Sequence, residues 1–183
     1  MFTYCPSCAS KNISFEQGKV FRCSDCGFVY YHNVAAATGC IISVPEVSGV
    51  QRLVYLVRNR DPMKGKLDLP GGFVDPGEGV LEGLFRELQE EIGWTPPVPS
   101  GAPLTGVFKL FASFPNVYPY KNIVYNTCDL FFTVSAPGLR EQDLRIERDE
   151  ISAVRFLKPE EIDYDEIAFE SARRAVRAYI AHP

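Results

Sequence analysis

The sequence predicts an α/β domain built on a mixed β-sheet flanked by helices, with a small cysteine-rich module in front of it. Two observations predict this fold class. Strand-like runs are interspersed with a few helical segments, which is typical of mixed α/β layers, and four of the six cysteines cluster near one end of the chain. A length of 183 residues is enough for one full domain with a sizeable core plus such a module.

The cysteine-rich module occupies residues 1–33. It contains two C-x-x-C pairs, CPSC and CSDC, separated by fourteen residues. Two such pairs at this distance are typical of a zinc ribbon, in which four thiolates hold Zn²⁺ tetrahedrally. So short a segment buries little apolar surface, so we expect the metal to supply the missing folding free energy. The predicted zinc ligands are Cys5, Cys8, Cys23 and Cys26.

The second domain is predicted to span residues 34–183. Runs rich in branched and aromatic residues predict its strands, and apolar side chains at helical spacing predict its helices. The segment PNVYPYK, residues 115–121, is predicted to be a loop between two long strands. The predicted strands cover residues 34–44, 52–59, 103–114, 122–134 and 153–157, and the predicted helices run from about Glu78 to Ile92 and from about residue 165 to 182.

The first predicted helix carries several closely spaced carboxylates. At 100° per residue its apolar side chains gather on one side, and Glu87, Glu90 and Glu91 lie within about 100° of arc beside that face. Like charges at this spacing repel. One interpretation of the three glutamates is an ordinary solvent-exposed acidic face of the helix, and the other is a functional site. Hard oxygen ligands converging from one helix suit Mg²⁺ or Mn²⁺, which would neutralise the repulsion and bridge phosphate oxygens.

Arg86 lies among these acids. Glu78 and Glu82 precede it at helical spacing, so we expect Arg86 to pair with Glu82 and to reach toward Glu90, which would fix the orientation of the carboxylates. Gly93 follows the last glutamate and is predicted to end the helix as a C-cap glycine.

These residues match the Nudix box, whose pattern is G-x5-E-x7-R-E-U-x-E-E-x-G-U with U a bulky apolar residue. Seven positions are strict, so at an average residue usage of roughly 6% a chance match is on the order of one in 10⁸. The chain therefore resembles the Nudix family over about residues 34 to 158. The matching residues are Gly72, Glu78, Arg86, Glu87, Leu88, Glu90, Glu91, Gly93 and Trp94.

The resemblance implies an α/β/α sandwich around a mixed sheet, and an enzyme that hydrolyses a nucleoside diphosphate linked to another group. It implies that water activated by Mg²⁺ or Mn²⁺ attacks one phosphorus, while the cations stabilise the charge that develops on the diphosphate. Arg86 and Glu78 are implied to brace the loop and helix. The implied ligands of the divalent ion are Glu87, Glu90, Glu91 and, as an additional one, the carbonyl of Gly72.

The resemblance also implies a further glutamate beyond the box, as catalytic base or as ligand of an additional metal. The segment RIERDEISAVRFLKPEEI resembles the corresponding region of the family, and Glu150 is the best match. Glu147 and Glu90 remain alternatives for the base, and Glu150 as a plain solvated loop acid remains another.

A zinc ribbon directly before a Nudix domain resembles the NADH pyrophosphatases, which also carry S-Q-P-W-P-F-P-x-S after the box. The nearest segment here, SFPNVYPYK from Ser113, lacks the tryptophan and the final serine. We expect it to be a substrate-facing loop in which Tyr118 and Tyr120 stack on a base; the plain alternative is that they cover strand ends. NADH, NAD, ADP-ribose or a similar compound is therefore the expected substrate class.

Charge and hydropathy argue against other classes of function. The net charge is −4, and in the ribbon Lys11, Lys19 and Arg22 are nearly balanced by Glu16 and Asp25, so nucleic acid is not an expected partner. The absence of a long apolar stretch predicts a cytoplasmic protein without a membrane partner. The alternative to an enzyme is a catalytically silent Nudix nucleotide sensor, or a zinc ribbon that binds nucleic acid. The resemblance admits a homodimer and does not fix the oligomeric state.

Overall fold

The computed structural model describes residues 2–47 and 49–182. Within these ranges the chain forms two β-sheets and two α-helices, joined by short 3₁₀ turns. The strands are β1 (Ile13–Glu16), β2 (Val20–Cys23), β3 (Val29–Tyr31), β4 (Ala35–Pro45), β5 (Gln51–Arg58), β6 (Leu67–Asp68), β7 (Lys109–Tyr120), β8 (Ile123–Ser135) and β9 (Ile151–Leu157), and the helices are α1 (Val80–Ile92) and α2 (Glu170–Ala181).

The first sheet belongs to the cysteine-rich module. Its three strands are antiparallel in the order β1-β2-β3. Phe21 is buried at the centre, where Phe2 and Phe28 pack edge-on against its ring. So few buried side chains leave most of the stability to the cysteine cluster. The ribbon architecture predicted for this segment is confirmed, and the domain boundary at residues 33 and 34 stays a prediction.

The second sheet has six strands and is mixed, as predicted. Five follow the order β6-β5-β4-β8-β7, and β9 pairs with β5. The central pair β4 and β8 is parallel, whereas the other pairs are antiparallel. The parallel pair requires a long crossover, and the chain between the two strands contains the whole loop-and-helix segment with the glutamates.

The two helices cover opposite faces of this sheet. Successive residues of a strand point to opposite sides, so Ile42 and Val54 pack into the core under α1, whereas Ile41 and Tyr55 pack into the core under α2. The domain is therefore an α/β/α sandwich, as expected. Neither helix of the described residues is long and apolar enough to cross a membrane.

Several predicted element boundaries differ from the structure. Helix α1 begins at Val80, which leaves Glu78 in the preceding loop. The strand predicted from residue 103 begins at Lys109, because residues 104–106 form a 3₁₀ turn after Pro103. The last helix begins at Glu170, after a separate 3₁₀ turn at Tyr164–Glu166.

The loop predicted at residues 115–121 is wrong. Strand β7 continues through this segment, and its register with β8 extends to the pair Tyr120 and Ile123. Only a two-residue turn connects the strands, with Lys121 at a φ of 53°. Pro115 and Pro119 are tolerated because β7 is an edge strand, where a residue without an N–H can face the unpaired side.

Candidate active site

Two consecutive glycines bring the loop before α1 against strand β4 and the helix. Gly71 has a φ of 139°, and a Cβ there would lie 2.3 Å from the carbonyl oxygen of Thr38, so only glycine fits. A Cβ on Gly72 would lie 2.5 Å from Cδ of Glu87. The Gly72 carbonyl accepts hydrogen bonds from the N–H and the hydroxyl of Thr38, at 2.8 and 3.3 Å. The metal-ligand role predicted for this carbonyl thus competes with its bonds to β4.

Arg86 binds the loop and the helix at the same time. Its Nε and Nη2 donate to the two carboxylate oxygens of Glu78, at 2.7 and 3.2 Å. Its Nη2 also donates to the carbonyl of Phe73 at 3.1 Å. Its Nη1 donates to Glu87 at 2.9 Å and to Glu90 at 3.0 Å. Hydrogen bonding to Glu78 in particular raises the pKa of Arg86 well above its usual range, so the guanidinium stays charged and makes the contacts of a brace.

Glu82 does not pair with Arg86 as predicted. Its carboxylate accepts a hydrogen bond from the backbone N–H of the N-cap residue Gly79, at 2.7 Å. Because α1 begins at Val80, Glu82 lies in the first turn, where a carboxylate satisfies an otherwise unpaired N–H and favours the positive end of the helix dipole. Glu78, which precedes the helix, pairs with Arg86 in its place.

Glu91 is the innermost of the three box glutamates. Its Oε2 accepts a hydrogen bond from the backbone N–H of Gly71 at 2.8 Å. Desolvation raises the pKa of Glu91 well above its ordinary value of 4.5, against that hydrogen bond, and the charges of Glu87, Asp68 and Glu150 raise it further. A carboxylate in this position favours a proton or a cation.

Glu87 and Glu90 occupy different depths. Only 17% of the Glu87 side chain is exposed, and desolvation raises its pKa although the hydrogen bond from Arg86 lowers it. Glu90 is at the rim, with 59% of its side chain exposed. The helix therefore presents a row of carboxylates from the interior to the solvent.

A loop before β9 completes the acidic wall. The backbone N–H of Glu147 donates to the carbonyl of Glu91 at 3.0 Å, and that of Arg145 donates to the carbonyl of Ile92 at 2.8 Å. These bonds hold the loop along the C-terminal end of α1 and bring Glu147 and Glu150, the two base candidates of this loop, to the helix. The resulting acidic cavity has a volume of about 400 Å³ and is lined by Arg60, Glu87, Glu90, Glu91, Glu147 and Glu150.

Arg60 is the one basic side chain among the described residues that line the acidic cavity. Its guanidinium forms an ion pair with Glu150. The neighbouring Asn59 donates its backbone N–H to the carbonyl of Glu150 at 2.6 Å and its side-chain amide to the carbonyl of Arg148 at 2.7 Å. The end of β5 thus fixes the position of Glu150.

The carboxylates line the acidic cavity without meeting at one point. In the described part of the chain, the four cysteines are the one group of three or more metal-binding side chains whose ligand atoms all lie within 4.8 Å of one another. Because carboxylates repel each other, they bind separate donors: Glu90 binds Arg86 and Glu150 binds Arg60. Five carboxylates around one cavity nevertheless fit Mg²⁺ or Mn²⁺, which take hard oxygen ligands.

A second cavity, of about 190 Å³, adjoins the acidic cavity and shares three glutamates and Arg60 with it. Its rim is aromatic, since the ring of Tyr118 lies 5.4 Å from the rings of Phe73 and Phe169. We call it the aromatic cavity. A flat group bound here would lie directly beside the carboxylates.

The two tyrosines predicted to stack on a base lie at different places. Tyr118 lines the aromatic cavity, whereas Tyr120 is 41% exposed near the tip of the hairpin and does not line it. The alternation of β7 places Asn116 on the same face as Tyr118, two residues apart, and Asn116 also lines the cavity.

Polar side chains form the floor of the aromatic cavity. Arg58 pairs with Asp68 at 2.8 Å, and desolvation raises the pKa of Asp68 to about 6 although Arg58 lowers it. Asp129 accepts hydrogen bonds from the hydroxyls of Thr127 and Ser171, at 2.5 and 2.6 Å. These five residues, called the polar floor below, connect β5, β6, β8 and α2.

The cysteine cluster has the dimensions of a zinc site. The Sγ atoms of Cys5 and Cys26, and those of Cys8 and Cys23, lie 3.6 Å apart, close to the sulfur–sulfur distance of about 3.8 Å in a zinc tetrathiolate. A hydrogen bond from the backbone N–H of Cys26 is the main cause that lowers the pKa of Cys23 to about 7. A backbone hydrogen bond at Ser10 lowers the pKa of Cys8, but the thiol of Cys26 and desolvation outweigh it and raise that pKa to about 12.

Sequence reasoning did not identify Arg60 or the polar floor as parts of the site. Asp129 offered a signal, because it is an acid inside the apolar run CDLFF of a predicted strand, where an unpaired charge is costly. Arg60 offered none, since it meets Glu150 only after residues ninety positions apart come together.

The fold and the site together define a class of protein: an α/β/α sandwich in which a glycine loop and one helix present carboxylates beside an aromatic cavity. The chain belongs to the Nudix family, because its residues 35–179 match the family model for the NUDIX domain. The complete box in the sequence agrees with this assignment.

Two curated proteins are similar to parts of this chain. An ADP-ribose pyrophosphatase from Methanocaldococcus jannaschii is 38% identical over 80 residues, which cover 44% of this chain and 42% of that protein. An NAD-capped RNA hydrolase from Schizosaccharomyces pombe is 27% identical over 175 residues, which cover 88% of this chain and 41% of that protein. The chain thus spans less than half the length of either curated relative.

Solved structures share the fold. A NUDIX hydrolase from Nitrosomonas europaea has a TM-score of 0.62 and 22% identity, with 98% of this chain and 91% of that chain covered. The NUDIX domain of Shewanella oneidensis NrtR, solved in complex with ADP ribose, has a TM-score of 0.63 and 15% identity, with 84% and 91% covered. At these identities the likeness establishes the fold alone.

Proposed function

We propose that this chain is a nucleotide diphosphatase that depends on Mg²⁺ or Mn²⁺. It hydrolyses the diphosphate bond of a nucleoside diphosphate linked to another group, such as NADH, NAD or ADP-ribose. Two observations support the substrate class: one curated relative is named an ADP-ribose pyrophosphatase and the other an NAD-capped RNA hydrolase. The complete set of box residues favours catalysis over sensing, because a nucleotide sensor has no need of every acid in the set.

The observation that carries this proposal is the junction of the acidic and aromatic cavities at Glu87, Glu91 and Glu150. The aromatic cavity suits a nucleoside moiety, and the junction places the diphosphate against carboxylates that would repel it on their own. Glu87, Glu90 and Glu91 would hold the divalent ion, which when bound would neutralise charge on the diphosphate and lower the pKa of water. Arg86 contributes by fixing the orientation of Glu87 and Glu90.

We assign to the carboxylate of Glu150 the role of accepting a proton from the attacking water. Glu150 lines both cavities, and Arg60 fixes its carboxylate. Glu147 lines only the acidic cavity. Glu90 is exposed at the rim and binds Arg86. Both therefore rank behind Glu150 as the base.

We assign a structural role to zinc in the ribbon, held by the four cysteines. Thiolates at these distances suit Zn²⁺, and a tetrathiolate site is coordinatively complete, so it leaves no position for a substrate. The two metals thus have separate tasks.

The test is a substrate panel. The purified protein is incubated with NADH, ADP-ribose, nucleotide sugars, dinucleoside polyphosphates and nucleoside triphosphates, with Mg²⁺ or Mn²⁺, and release of nucleoside monophosphate is measured. We expect turnover of at least one diphosphate-linked compound and none in buffer without a divalent ion. Failure of every compound with both ions would refute the proposal, and tight binding of a nucleotide without turnover would support the sensor alternative.

A further inference from the structure

We infer that the polar floor of the aromatic cavity binds the ribose esterified to the diphosphate, with Asp129 accepting hydrogen bonds from its adjacent hydroxyls. The inference rests on the proposed function and names the group that the cavity selects, an uncharged sugar with vicinal hydroxyls.

The polar floor offers acceptors at Asp129 and one free donor group, since Nη2 of Arg58 is buried without a hydrogen-bond partner among the described residues. An ionised carboxylate only accepts hydrogen bonds, so the hydroxyls of Thr127 and Ser171 must donate to Oδ1 and Oδ2 of Asp129. Both of these hydroxyl protons are therefore committed. Each oxygen of Asp129 keeps a second lone pair. The hydroxyl of Thr38, which also lines the cavity, donates to the carbonyl of Gly72. A ligand that reaches Asp129 meets oxygens that can accept further hydrogen bonds, and a hydroxyl group can donate to them while its own oxygen remains able to accept a hydrogen bond.

The charge of Asp129 disfavours an anionic group beside it. Arg58 pairs with Asp68, and no ion pair within 4.0 Å joins Asp129 to a basic side chain in the described ranges. Only 8% of Asp129 is exposed, so water compensates its charge poorly. Hydroxyl donors from a ligand would supply the missing hydrogen bonds, whereas a phosphate or a carboxylate would be repelled.

The connectivity of a nucleotide brings ribose to this place. In a nucleoside 5′-diphosphate the sugar is the first group beyond the phosphates. Glu87 and Glu91 line both cavities, so a diphosphate positioned beside them delivers its ribose to the adjoining floor. The base then reaches the aromatic rim of Phe73, Tyr118 and Phe169, where stacking holds it. A carboxylate that binds ribose hydroxyls is also how dinucleotide-binding folds select an unphosphorylated sugar.

The first test compares two substrates on the wild-type protein with Mg²⁺. One is P1,P2-di(adenosine-5′) diphosphate, whose identical ends present the same group in either orientation, and the other is its bis-2′,3′-dideoxy analogue. Hydrogen bonds from neutral hydroxyls to a buried carboxylate are strong, so we expect kcat/KM to be roughly 10- to 100-fold lower for the dideoxy compound. Equal kcat/KM values would overturn the inference and leave the proposed function standing.

The second test is the isosteric substitution Asp129→Asn. It removes the charge and turns one acceptor of the floor into a donor, so we expect kcat/KM for the ribose compound to fall by roughly 10- to 100-fold. The value for the dideoxy compound should stay within about threefold, so the preference for hydroxyls disappears. The matched control is Asp143→Asn, an exposed aspartate that pairs with Arg140 and does not line the cavity, which should keep the full preference.

The outcomes are distinguishable. If Asp129→Asn lowers kcat/KM equally for both compounds, Asp129 has a purely structural role and the inference is overturned. If thermal unfolding shows that the variant does not fold, the wild-type comparison decides. If neither compound is cleaved, the proposed function fails for this substrate, and calorimetric binding of both compounds in Mg²⁺ decides the inference: roughly tenfold tighter binding of the ribose compound supports it, and equal affinity overturns it.

Discussion

The ribbon and the box helix hold their metal-ligating side chains in opposite ways. Four sulfur atoms of the ribbon lie within 4.8 Å of one another, whereas five glutamates surround a cavity of about 400 Å³ and are held apart by Arg86 and Arg60. The difference lies in the charge of the groups: protonated thiols are uncharged and can approach one another, whereas ionised carboxylates repel. The ribbon therefore holds its four sulfur ligands at the spacing of one metal ion that stabilises its fold, whereas the glutamate carboxylates stay apart and depend on cations to balance their charge.

The largest effect is expected from breaking the ribbon. Cys23→Ser removes a thiolate ligand, and the metal supplies folding free energy on the order of 10 kcal/mol in domains of this kind. We expect zinc content to fall and amide protection in β1 to β3 to be lost, while the larger sheet keeps its far-UV circular dichroism. Cys128→Ser, outside the cluster, should retain one zinc per chain. Persistent protection in the Cys23→Ser ribbon would contradict the comparison.

The glutamate site is expected to show a smaller effect on folding and a large one on activity. Glu91→Gln removes the innermost charge available to a divalent ion, so kcat/KM with Mg²⁺ should fall by about 10²- to 10³-fold. Glu82→Gln is the matched control on the same helix, since a glutamine can still accept the hydrogen bond from Gly79, and it should stay within about threefold of wild type. Unchanged turnover in Glu91→Gln would mean that the acidic cavity is not the active site.

Gly72→Ala tests how precisely the glutamates must be positioned for activity. The new Cβ would lie 2.5 Å from Cδ of Glu87, so the loop or the carboxylate must shift. Displacements of about 1 Å near a reacting group cost up to roughly 10²-fold, and we expect kcat/KM to fall by about 10- to 100-fold. Gly106→Ala meets no atom within 4 Å and serves as the control. Wild-type kinetics in Gly72→Ala would show that the placement of Glu87 is not critical.

The smallest effect is on stability as a function of pH, without Mg²⁺. Desolvation, with the charges of Glu87, Asp68 and Glu150, raises the pKa of folded Glu91, and only the Gly71 N–H opposes it. Stability present below pH 4.5 is therefore lost as the pH rises through the raised pKa. Glu91→Gln lacks this loss, so its Tm should exceed that of wild type at pH 7. The expected difference is roughly 2–4 °C for each kcal/mol of stability that the wild type loses. Equal Tm values for the variant and the wild type from pH 4 to 8 would contradict this prediction. Added Mg²⁺ should remove the difference in Tm between the two proteins.

The sequence predicted the features that are encoded locally. The box lies within residues 72–94, so its spacing alone placed Arg86 among the glutamates and all three acids on one helix. What it missed depends on distant partners. Glu150 meets Arg60 across ninety residues, and Asp129 meets Ser171 across forty-two; no periodicity encodes such pairs.

The error at residues 115–121 has a similar cause. Pro115 and Pro119 indicate a loop when only the local sequence is considered, because proline cannot donate to a sheet. They are compatible with β7 because one edge of that strand pairs with no other strand in the described part of the chain. Edge position is a property of the assembled sheet, so the strand could not be recognised before the order of strands was known.

The parallel pair at the centre of the larger sheet also dictates an order of events during synthesis. Ala35 in β4 is aligned with Thr127 in β8, so the sheet cannot close its middle until roughly 90 further residues have left the ribosome. The ribbon, whose facing cysteines lie no more than 21 residues apart, can form around its metal long before that. During synthesis the ribbon is therefore folded while apolar strands of the larger sheet are still unpaired. In that interval the chain exposes the apolar surface that a chaperone would bind.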